Sequence, residues 1–417
     1  MSTSTPQDSL HAGTVPGYRD LLGVPSFPTL AVTNLLAQLG GNAWELVLIL
    51  FVLERFHSPA LAGLAAFCGL APGLAISPLA GALLDRFPRG RLIAFDLGVG
   101  AVTAGLLVVL AAGGRLSPFI LLAVISVSSL AVPLSSGGFR TLVPVLVPRP
   151  LWDRANALIV SMGNVALLIG PALAGVLVAT MGGLVALLAI GWIWLAGAIL
   201  ALLIREPAPA EPASAHIMRS AWQGVRYLLS NPTLRGLSII LPTTNIGYGA
   251  FVVALPVLVL RLHAGAAQVG LLWSVFAAAA LIAGLLFGHI RSEGRERSIM
   301  AATLALYAGA FFVAAMAART PFPLALLAVA MALAGCADGP LFVTMISYRQ
   351  RATDPEQLGR ALSISGSISY LGVPMGSALA GASIGLSLTG TMVGAALLAA
   401  VCVPLTFVLL PASSPQT

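Results

Sequence analysis

Two carboxyl groups lie in the middle of long apolar stretches of the sequence. Glu45 and Asp338 are each roughly ten residues from the nearest predicted membrane boundary, or about 15 Å along a helix. An ionisable side chain in such a segment is disfavoured by lipid and is usually retained for a function. A carboxyl at this depth can exchange a proton when its surroundings open to water. We therefore rank Glu45 first and Asp338 second as candidate proton-coupling groups.

Both acids also have a purely structural interpretation. Glu45 can stay neutral and hydrogen-bond a neighbouring helix. Asp338 can satisfy backbone groups that an irregular helix frees around residues 335–340. No arginine is predicted at a similar depth, so a permanent salt bridge is a weaker explanation for either acid.

A polar stripe accompanies Glu45 along one helix. Asn34, Gln38, Asn42 and Glu45 follow one another at steps of four, four and three residues. At about 100 degrees per residue, this spacing places all four within an arc of roughly 80 degrees. Lipid penalises such a stripe, so it is expected to face another helix or a water-filled cavity. The three amides are therefore candidate cavity residues.

Two shorter polar groups follow the same spacing. Asn245 and Tyr248 lie together in the seventh apolar segment, and we assign both to the substrate cavity. Ser363, Ser367 and Tyr370 form a similar stripe in the eleventh segment. Hydroxyls and amides also join membrane helices by hydrogen bonds, and for the serines this interpretation is favoured.

The composition identifies the elements that must position these groups. Of 417 residues, 58% are hydrophobic and only 8% are charged, whereas about a quarter are charged in ordinary soluble domains. A soluble protein is excluded. A membrane helix takes about 20 residues, and twelve apolar segments of suitable length can be counted. They are residues 30–53, 59–84, 92–113, 117–137, 155–179, 183–204, 237–260, 267–289, 298–318, 322–346, 361–383 and 387–410.

The arginines orient these segments. Seventeen of the 21 basic residues fall on one side of the predicted membrane, and four, at positions 55, 115, 261 and 319, fall on the other. Basic residues favour the cytoplasm, so both termini are expected there and the protein is expected in the cytoplasmic (inner) membrane. The predicted domains are a cytoplasmic tail (1–29), a six-helix bundle (30–204), a cytoplasmic linker (205–235), a second six-helix bundle (236–410) and a cytoplasmic tail (411–417).

The linker has a helical pattern of its own. Met218, Trp222 and Val225 recur at helical spacing with arginines on the other side, which predicts an amphipathic helix on the membrane surface. A partly ordered linker is the alternative.

An internal repeat relates the two bundles. The sequences around residues 153–175 and 359–381 share an Arg-Ala pair, a glycine and an Ala-Gly pair, all displaced by 206 positions. Repeats of six helices keep the same orientation, so the halves are expected to be related by an axis along the membrane normal. The predicted fold class is an all-α membrane protein with twelve transmembrane helices in two parallel six-helix repeats.

The loop between the second and third segments carries a recognisable signature. Its sequence, GALLDRFPRGR at residues 81–91, resembles the GxLxDRxGRR loop of the major facilitator superfamily, with Pro88 where the family usually has glycine. The resemblance implies a conformational latch on the cytoplasmic side. The corresponding second-half loop, residues 288–297, has Ser292 where an acid is expected, so the first half is predicted to carry any latch. The residues assigned to it are Gly81, Asp85, Arg86, Arg89 and Arg91.

A second signature indicates the branch. The stretch from Arg140 through Asp153 to Gly175 is similar to that of enterobactin-exporter-like and macrolide-efflux-like members. Gly170, Pro171 and Gly175 also resemble, loosely, the fifth-helix signature of proton-coupled drug antiporters. Glycines permit close helix packing and proline bends the helix. For each of these residues, packing without functional specificity is an equal alternative.

The resemblance implies a monomeric secondary transporter that exports a small amphipathic compound, a drug or a siderophore-like molecule, in exchange for protons. It also implies that spans one, four, seven and ten line the cavity. The alternatives are an uptake permease of the same fold and a non-transporting scaffold or sensor. The chain has no Walker or HExxH motif. We expect no enzymatic activity, catalytic residue, cofactor, metal site or nucleic-acid partner; the expected partners are the substrate, protons and the lipid bilayer.

Overall fold

The helices account for nearly all of the described chain. The structure, a computed structural model, describes residues 18–206, 225–290, 292–354 and 357–411. After a short helix, Tyr18–Leu22, these residues form α1 (Phe27–Phe56), α2 (Pro59–Arg86), α3 (Arg89–Ala112), α4 (Pro118–Ser129 and Val132–Leu146), α5 and α6 (together Trp152–Leu202), α7 (Pro232–Arg261), α8 (Ala266–Phe287), α9 (Glu296–Met316), α10 (Pro323–Arg351), α11 (Leu358–Tyr370 and Gly372–Ile384) and α12 (Leu388–Leu409).

These helices make twelve crossings in the described chain. Ten segments are long and apolar enough to span a membrane. The α5–α6 segment is long enough for two crossings, and α11 adds the twelfth in two shorter pieces. We call the side on which α1 begins and α12 ends the terminal side, and the opposite side the far side. Most of the predicted linker, residues 207–224, lies outside the described residues, so its amphipathic helix stays a prediction.

Side chains and prolines fix where several helices begin. The hydroxyl oxygens of Ser58, Ser117 and Ser387 accept hydrogen bonds from backbone N–H groups three residues later. Asn231 caps α7 in the same way through its amide oxygen. Proline occupies the first turn after Ser58, Ser117 and Asn231, where it leaves no intrahelical donor unused.

The predicted turn between the fifth and sixth spans is confirmed. Gly182 has a backbone (φ 80, ψ 163) that no helix contains, so it separates α5 from α6. The N–H of Gly183, at the start of α6, donates to the carboxylate of Glu54 from α1 over 3.1 Å. The helix start is therefore capped by a side chain from another helix.

Two crossings are interrupted near prolines. Helix α4 breaks at residues 130–131, ahead of Pro133, and α11 breaks at Leu371, ahead of Pro374. The predicted fourth span, 117–137, was too short: α4 continues to Leu146. Arg140 therefore lies inside the helix, whereas the sequence pattern placed it in the following loop.

Among the described residues, the two halves share an apolar core on the far side and not on the terminal side. One cluster of buried side chains combines first-half residues such as Val47, Ala62 and Ala174 with second-half residues such as Phe251 and Ala380. On the terminal side each half has its own cluster: Phe27, Ile93 and Leu142 belong to one, and Leu237, Leu304 and Tyr348 to another. The halves are therefore closed against each other on the far side and separated on the terminal side.

Glycines make the far-side closure through two helix crossings. Helix α2 meets α11 where Gly63 faces Gly381, and α5 meets α8 where Gly175 faces Gly270. A Cβ added at Gly63 would overlap the carbonyl oxygen of Ser377, and one added at Gly175 would lie 2.6 Å from that of Ala266. Side chains at these positions would force the backbones apart.

This geometry predicts that Gly63→Val weakens the far-side closure. The reporter is Ala266→Cys, in a background whose three native cysteines are replaced, because Ala266 is buried at the other crossing. Labelling by a membrane-impermeant maleimide should rise about tenfold, which corresponds to about 1.4 kcal/mol of overpacking.

Gly69→Val is the matched control, because it is on the same helix and a Cβ there would come no closer than 3.6 Å to its nearest neighbour, a methyl carbon of Ile125. Equal labelling in the two valine variants would contradict the assignment of Gly63 to the closure.

Candidate functional site

A cavity of about 70 Å³ lies between the two halves, beside the far-side closure. Helix α1 contributes Asn42 and Glu45, and α7 contributes Tyr248, in agreement with the sequence prediction. Helices α5 and α8 also line it, which the resemblance did not imply. The remaining lining residues are Leu46, Ile49, Leu167, Pro171, Val252, Trp273, Phe276 and Ala277.

The polar stripe of α1 divides into two parts. Asn42 and Glu45 face the cavity, and Glu45 is exposed there. The amide nitrogen of Asn42 donates to the carbonyl oxygen of Gln38 over 2.7 Å, and Gln38 itself is exposed. Asn34 is eight residues before Asn42, about two helical turns closer to the terminal side. It is 2% exposed, and its amide nitrogen has no partner among the described residues. Asn34 is therefore a buried polar group outside this cavity.

An aromatic cluster forms the wall opposite Glu45. The rings of Tyr248 and Trp273 lie 5.8 Å apart in an edge-to-face arrangement, and Phe276 lies 5.7 Å from Trp273. Aromatic pairs at these separations attract each other and give a rigid apolar surface. Sequence reasoning missed Trp273 and Phe276, because an aromatic residue in a membrane helix can face lipid as readily as it can face a cavity.

Two tyrosines connect Glu45 with Asp338. The hydroxyl of Tyr248 interacts electrostatically with both carboxyls, and so does that of Tyr370, which projects from the break in α11. Asp338, on α10, also interacts with the buried Tyr307. Glu45 and Asp338, one from each half, therefore have Tyr248 and Tyr370 as common electrostatic neighbours, and we call these four side chains the constellation. Among the described side chains, neither acid has a basic partner within 4.0 Å.

Asn245 has a different place from the predicted one. Its amide nitrogen donates to the carbonyl oxygen of Ser369 over 2.8 Å, just before the break in α11. The guanidinium of Arg349, on α10, donates to the hydroxyl of the same serine over 2.6 Å. Asn245 therefore supports the broken helix and does not line the cavity that contains Glu45. The side chain of Ser363 lies outside what the structure describes.

The terminal-side loops contain two ion-paired clusters. Glu206, after α6, accepts from the backbone N–H of Gly90 over 2.9 Å and lies 3.9 Å from the guanidinium of Arg89. Arg89 thus pairs within the first half. Arg86 and Arg91 are exposed, Gly81 has open space around it, and the side chain of Asp85 lies outside the description.

The second half carries an ion pair where the sequence analysis expected no latch. Arg351, at the end of α10, donates to Glu296 over 2.8 Å and to the hydroxyl of Ser292 over 3.2 Å. Glu296 is 4% exposed. The second half therefore does contain an acid on this side. That acid, Glu296, is the first residue of α9 and does not occupy the position that aligns with Asp85.

The predicted motif on α5 contacts two different partners. A Cβ at Gly170 would lie 2.8 Å from that of Asn42 on α1, so this glycine packs beside the polar stripe. Pro171 lines the cavity, and Gly175 forms the far-side crossing with Gly270. Within the ranges described, no cluster of three histidine, cysteine or acidic residues could hold a metal ion.

Solved structures share this architecture. The crystal structure of the nucleoside transporter NupG superimposes with a TM-score of 0.72, covering 92% of this chain and 98% of that one at 14% identity. This likeness confirms the predicted fold class, two parallel six-helix repeats, and carries no information about the substrate.

Curated relatives cover most of the chain. The sequence is 37% identical over 381 residues to the uncharacterized MFS-type transporter y4rN of Sinorhizobium fredii, covering 90% of this chain and 93% of the relative. It is 24% identical to multidrug efflux pump Tap of Mycolicibacterium fortuitum (82% and 85% covered) and 22% identical to macrolide efflux protein A of Streptococcus pyogenes (84% and 88%). These relatives confirm the resemblance to an efflux-like branch.

The family match extends through both halves. Residues 30–260 and 237–417 each match the Major Facilitator Superfamily. The chain therefore belongs to the Major Facilitator Superfamily and is a multi-pass membrane transporter.

Proposed function

We propose that this transporter exports a small amphipathic organic compound in exchange for protons. The observation that carries the proposal is the pair of carboxyls, Glu45 and Asp338, which share two tyrosines at the interface of the halves without a basic partner among the described side chains. A carboxyl that is not ion-paired is free to exchange a proton with whichever side the cavity faces.

The proposed membrane orientation assigns the side to which the described conformation opens, and the direction of export is taken from the resemblance to efflux proteins. The bias of seventeen arginines to four supports a cytoplasmic terminal side, and the native membrane is then the inner membrane with both termini in the cytoplasm. The described conformation is then inward-facing: the substrate enters from the cytoplasm while the glycine crossings keep the far side shut. Rocking of the halves moves the opening to the far side, where substrate leaves and a proton binds Glu45.

The cavity wall suits an amphipathic compound. Trp273, Phe276 and Val252 offer apolar surface, and Asn42, Glu45 and Tyr248 offer a few polar groups to fix orientation. The relatives named as multidrug and macrolide efflux proteins support a drug-like substrate. Siderophore-like molecules fit the same description. We propose a monomer as the transporting unit.

Glu45→Gln tests the proton-coupling role. The amide keeps the shape and the hydrogen-bonding capacity of the side chain but cannot release a proton. In proteoliposomes, transport driven by a pH gradient should fall at least about a hundredfold, the range typical of losing a proton-transfer group. Substrate binding in detergent and exchange without a pH gradient should remain.

Glu54→Gln is the matched control on the same helix. It removes a carboxyl at the far side, yet its amide oxygen can still accept from Gly183. Normal pH-driven export in Glu45→Gln would remove Glu45 from the mechanism and make Asp338→Asn the next variant to measure. Accumulation of substrate inside cells in place of depletion would favour the uptake permease, and no substrate flux at all would favour the scaffold.

Asp85→Asn tests the proposed latch. A latch residue changes the balance of conformers and does not contact substrate, so turnover should fall about tenfold while substrate affinity in detergent changes less than about twofold. Asp354→Asn removes an exposed acid from the same side and serves as the control. A large loss of affinity with normal conformational exchange would place Asp85 in the binding site instead.

A further inference from the structure

A buried guanidinium lies on the terminal side of the constellation, and no described side chain provides it with an acidic partner. Arg349 is 5% exposed. One of its terminal nitrogens donates to the hydroxyl of Ser369 over 2.6 Å and to the carbonyl oxygen of Ser365 over 3.4 Å, and its Nε has no partner among the described residues. The hydroxyl of Ser365, which is fully buried, also lacks one. Neutral oxygens therefore provide all of the described hydrogen bonds to this cation.

This arrangement is unusual for an arginine inside a membrane protein. A buried guanidinium normally pairs with a carboxylate, because desolvating it against neutral groups alone is unfavourable. The ion pairs of the described side chains involve Arg89 and Arg351, both nearer the terminal surface. The Nε–H group of Arg349 thus has no described acceptor, and an anionic group would provide one.

Tyr370 links this guanidinium electrostatically with a second one, that of Arg140. Arg140 is exposed on α4, in the other half of the molecule. Tyr370 is 61% exposed and interacts electrostatically with both arginines. The three side chains come from α4 in the first half and from α10 and α11 in the second.

The acidic and basic side chains of this region lie at different depths in the molecule. Asp338 and Arg349 are on the same helix, eleven residues apart, or about 16 Å at 1.5 Å per residue. Glu45 and Asp338 therefore lie farther from the terminal ends of their helices than Arg140 and Arg349 do. Such a gradient of charge attracts a ligand whose own charges are separated in the same way.

We propose that Arg140, Arg349 and Tyr370 form an anion-binding subsite, and that the exported compound carries a carboxylate or a comparable anionic group on its amphipathic body. This inference rests on the proposed export function and names its substrate class. The two guanidiniums supply charge-assisted hydrogen bonds, which Arg makes to carboxylates in a planar fork, and the phenol donates a third hydrogen bond.

The test is equilibrium binding of paired probes to the purified full-length protein in detergent, without any pH gradient. Each pair consists of an aromatic carboxylic acid and its neutral amide, beginning with 1-naphthoic acid and 1-naphthamide. The wild-type protein should bind the acid about tenfold more tightly than the amide, which is the difference that one charge-assisted contact makes.

Arg140→Gln should lower this preference well below tenfold while leaving amide affinity unchanged, because only Arg349 and Tyr370 then bind the anion. Because Arg140 is exposed and makes no described hydrogen bond, this variant is expected to fold. Arg349→Lys keeps the charge but loses the fork, so its preference should be reduced to between those of the wild type and Arg140→Gln. Arg235→Gln removes an exposed charge from the same side and should behave like the wild type.

Three results would overturn the proposal. The first is equal binding of acids and amides by the wild-type protein throughout the panel, and the second is an unchanged acid preference in Arg140→Gln. The third is displacement of the acid by phosphatidylglycerol added to the micelles, which would assign the arginines to a lipid headgroup. The acid preference should persist in Glu45→Gln, so a failure of proton coupling and a failure of the anion subsite give different results.

Discussion

The cost of transferring a charge from water into hydrocarbon governs where this chain places its few ionisable residues. Most lie at the ends of the helices, where Glu206 accepts from the start of α3 and Glu296 pairs with Arg351. Glu54 is similarly used at the far side, where it caps α6. Glu45, Asp96, Asp338, Arg140 and Arg349 also lie within helices, and none of them has an oppositely charged partner within 4.0 Å among the described side chains.

The far-side closure follows from a different constraint, the absence of a hydrophobic driving force between helices in lipid. Van der Waals contact between closely packed backbones holds the helices together instead, and at these crossings only glycine permits so close an approach. The two crossings are related by the internal repeat: Gly175 and Gly381 are 206 residues apart, and Gly63 and Gly270 are 207 apart. Each half thus presents the same pair of glycines, and the closed interface is nearly symmetric.

The sequence predicted the elements better than it predicted their interactions. Apolar length, the arginine pattern and the displacement of 206 sufficed for twelve crossings in two halves, because these signals are local. Glu45 and Asp338 were found because a carboxyl in an apolar stretch is conspicuous. Arg140 was misplaced by the same logic, since a charge near the end of an apolar segment looks like a membrane boundary. Asn245 was assigned to the cavity on helical spacing, which cannot reveal that a broken helix offers it a carbonyl oxygen.

The placement of Glu45, Asp338, Arg140 and Arg349 has a consequence for how the halves would move. The first half holds Glu45 and Arg140, and the second holds Asp338 and Arg349, so each half contributes one of these acids and, nearer the terminal side, one of these bases. In the proposed cycle, closing the terminal side brings the arginines of the two halves closer together, and like charges in a medium of low dielectric constant oppose that approach. An anionic group bound between them would remove the opposition. In that proposal the substrate's own charge lets the terminal side close, which ties the conformational change to the presence of cargo.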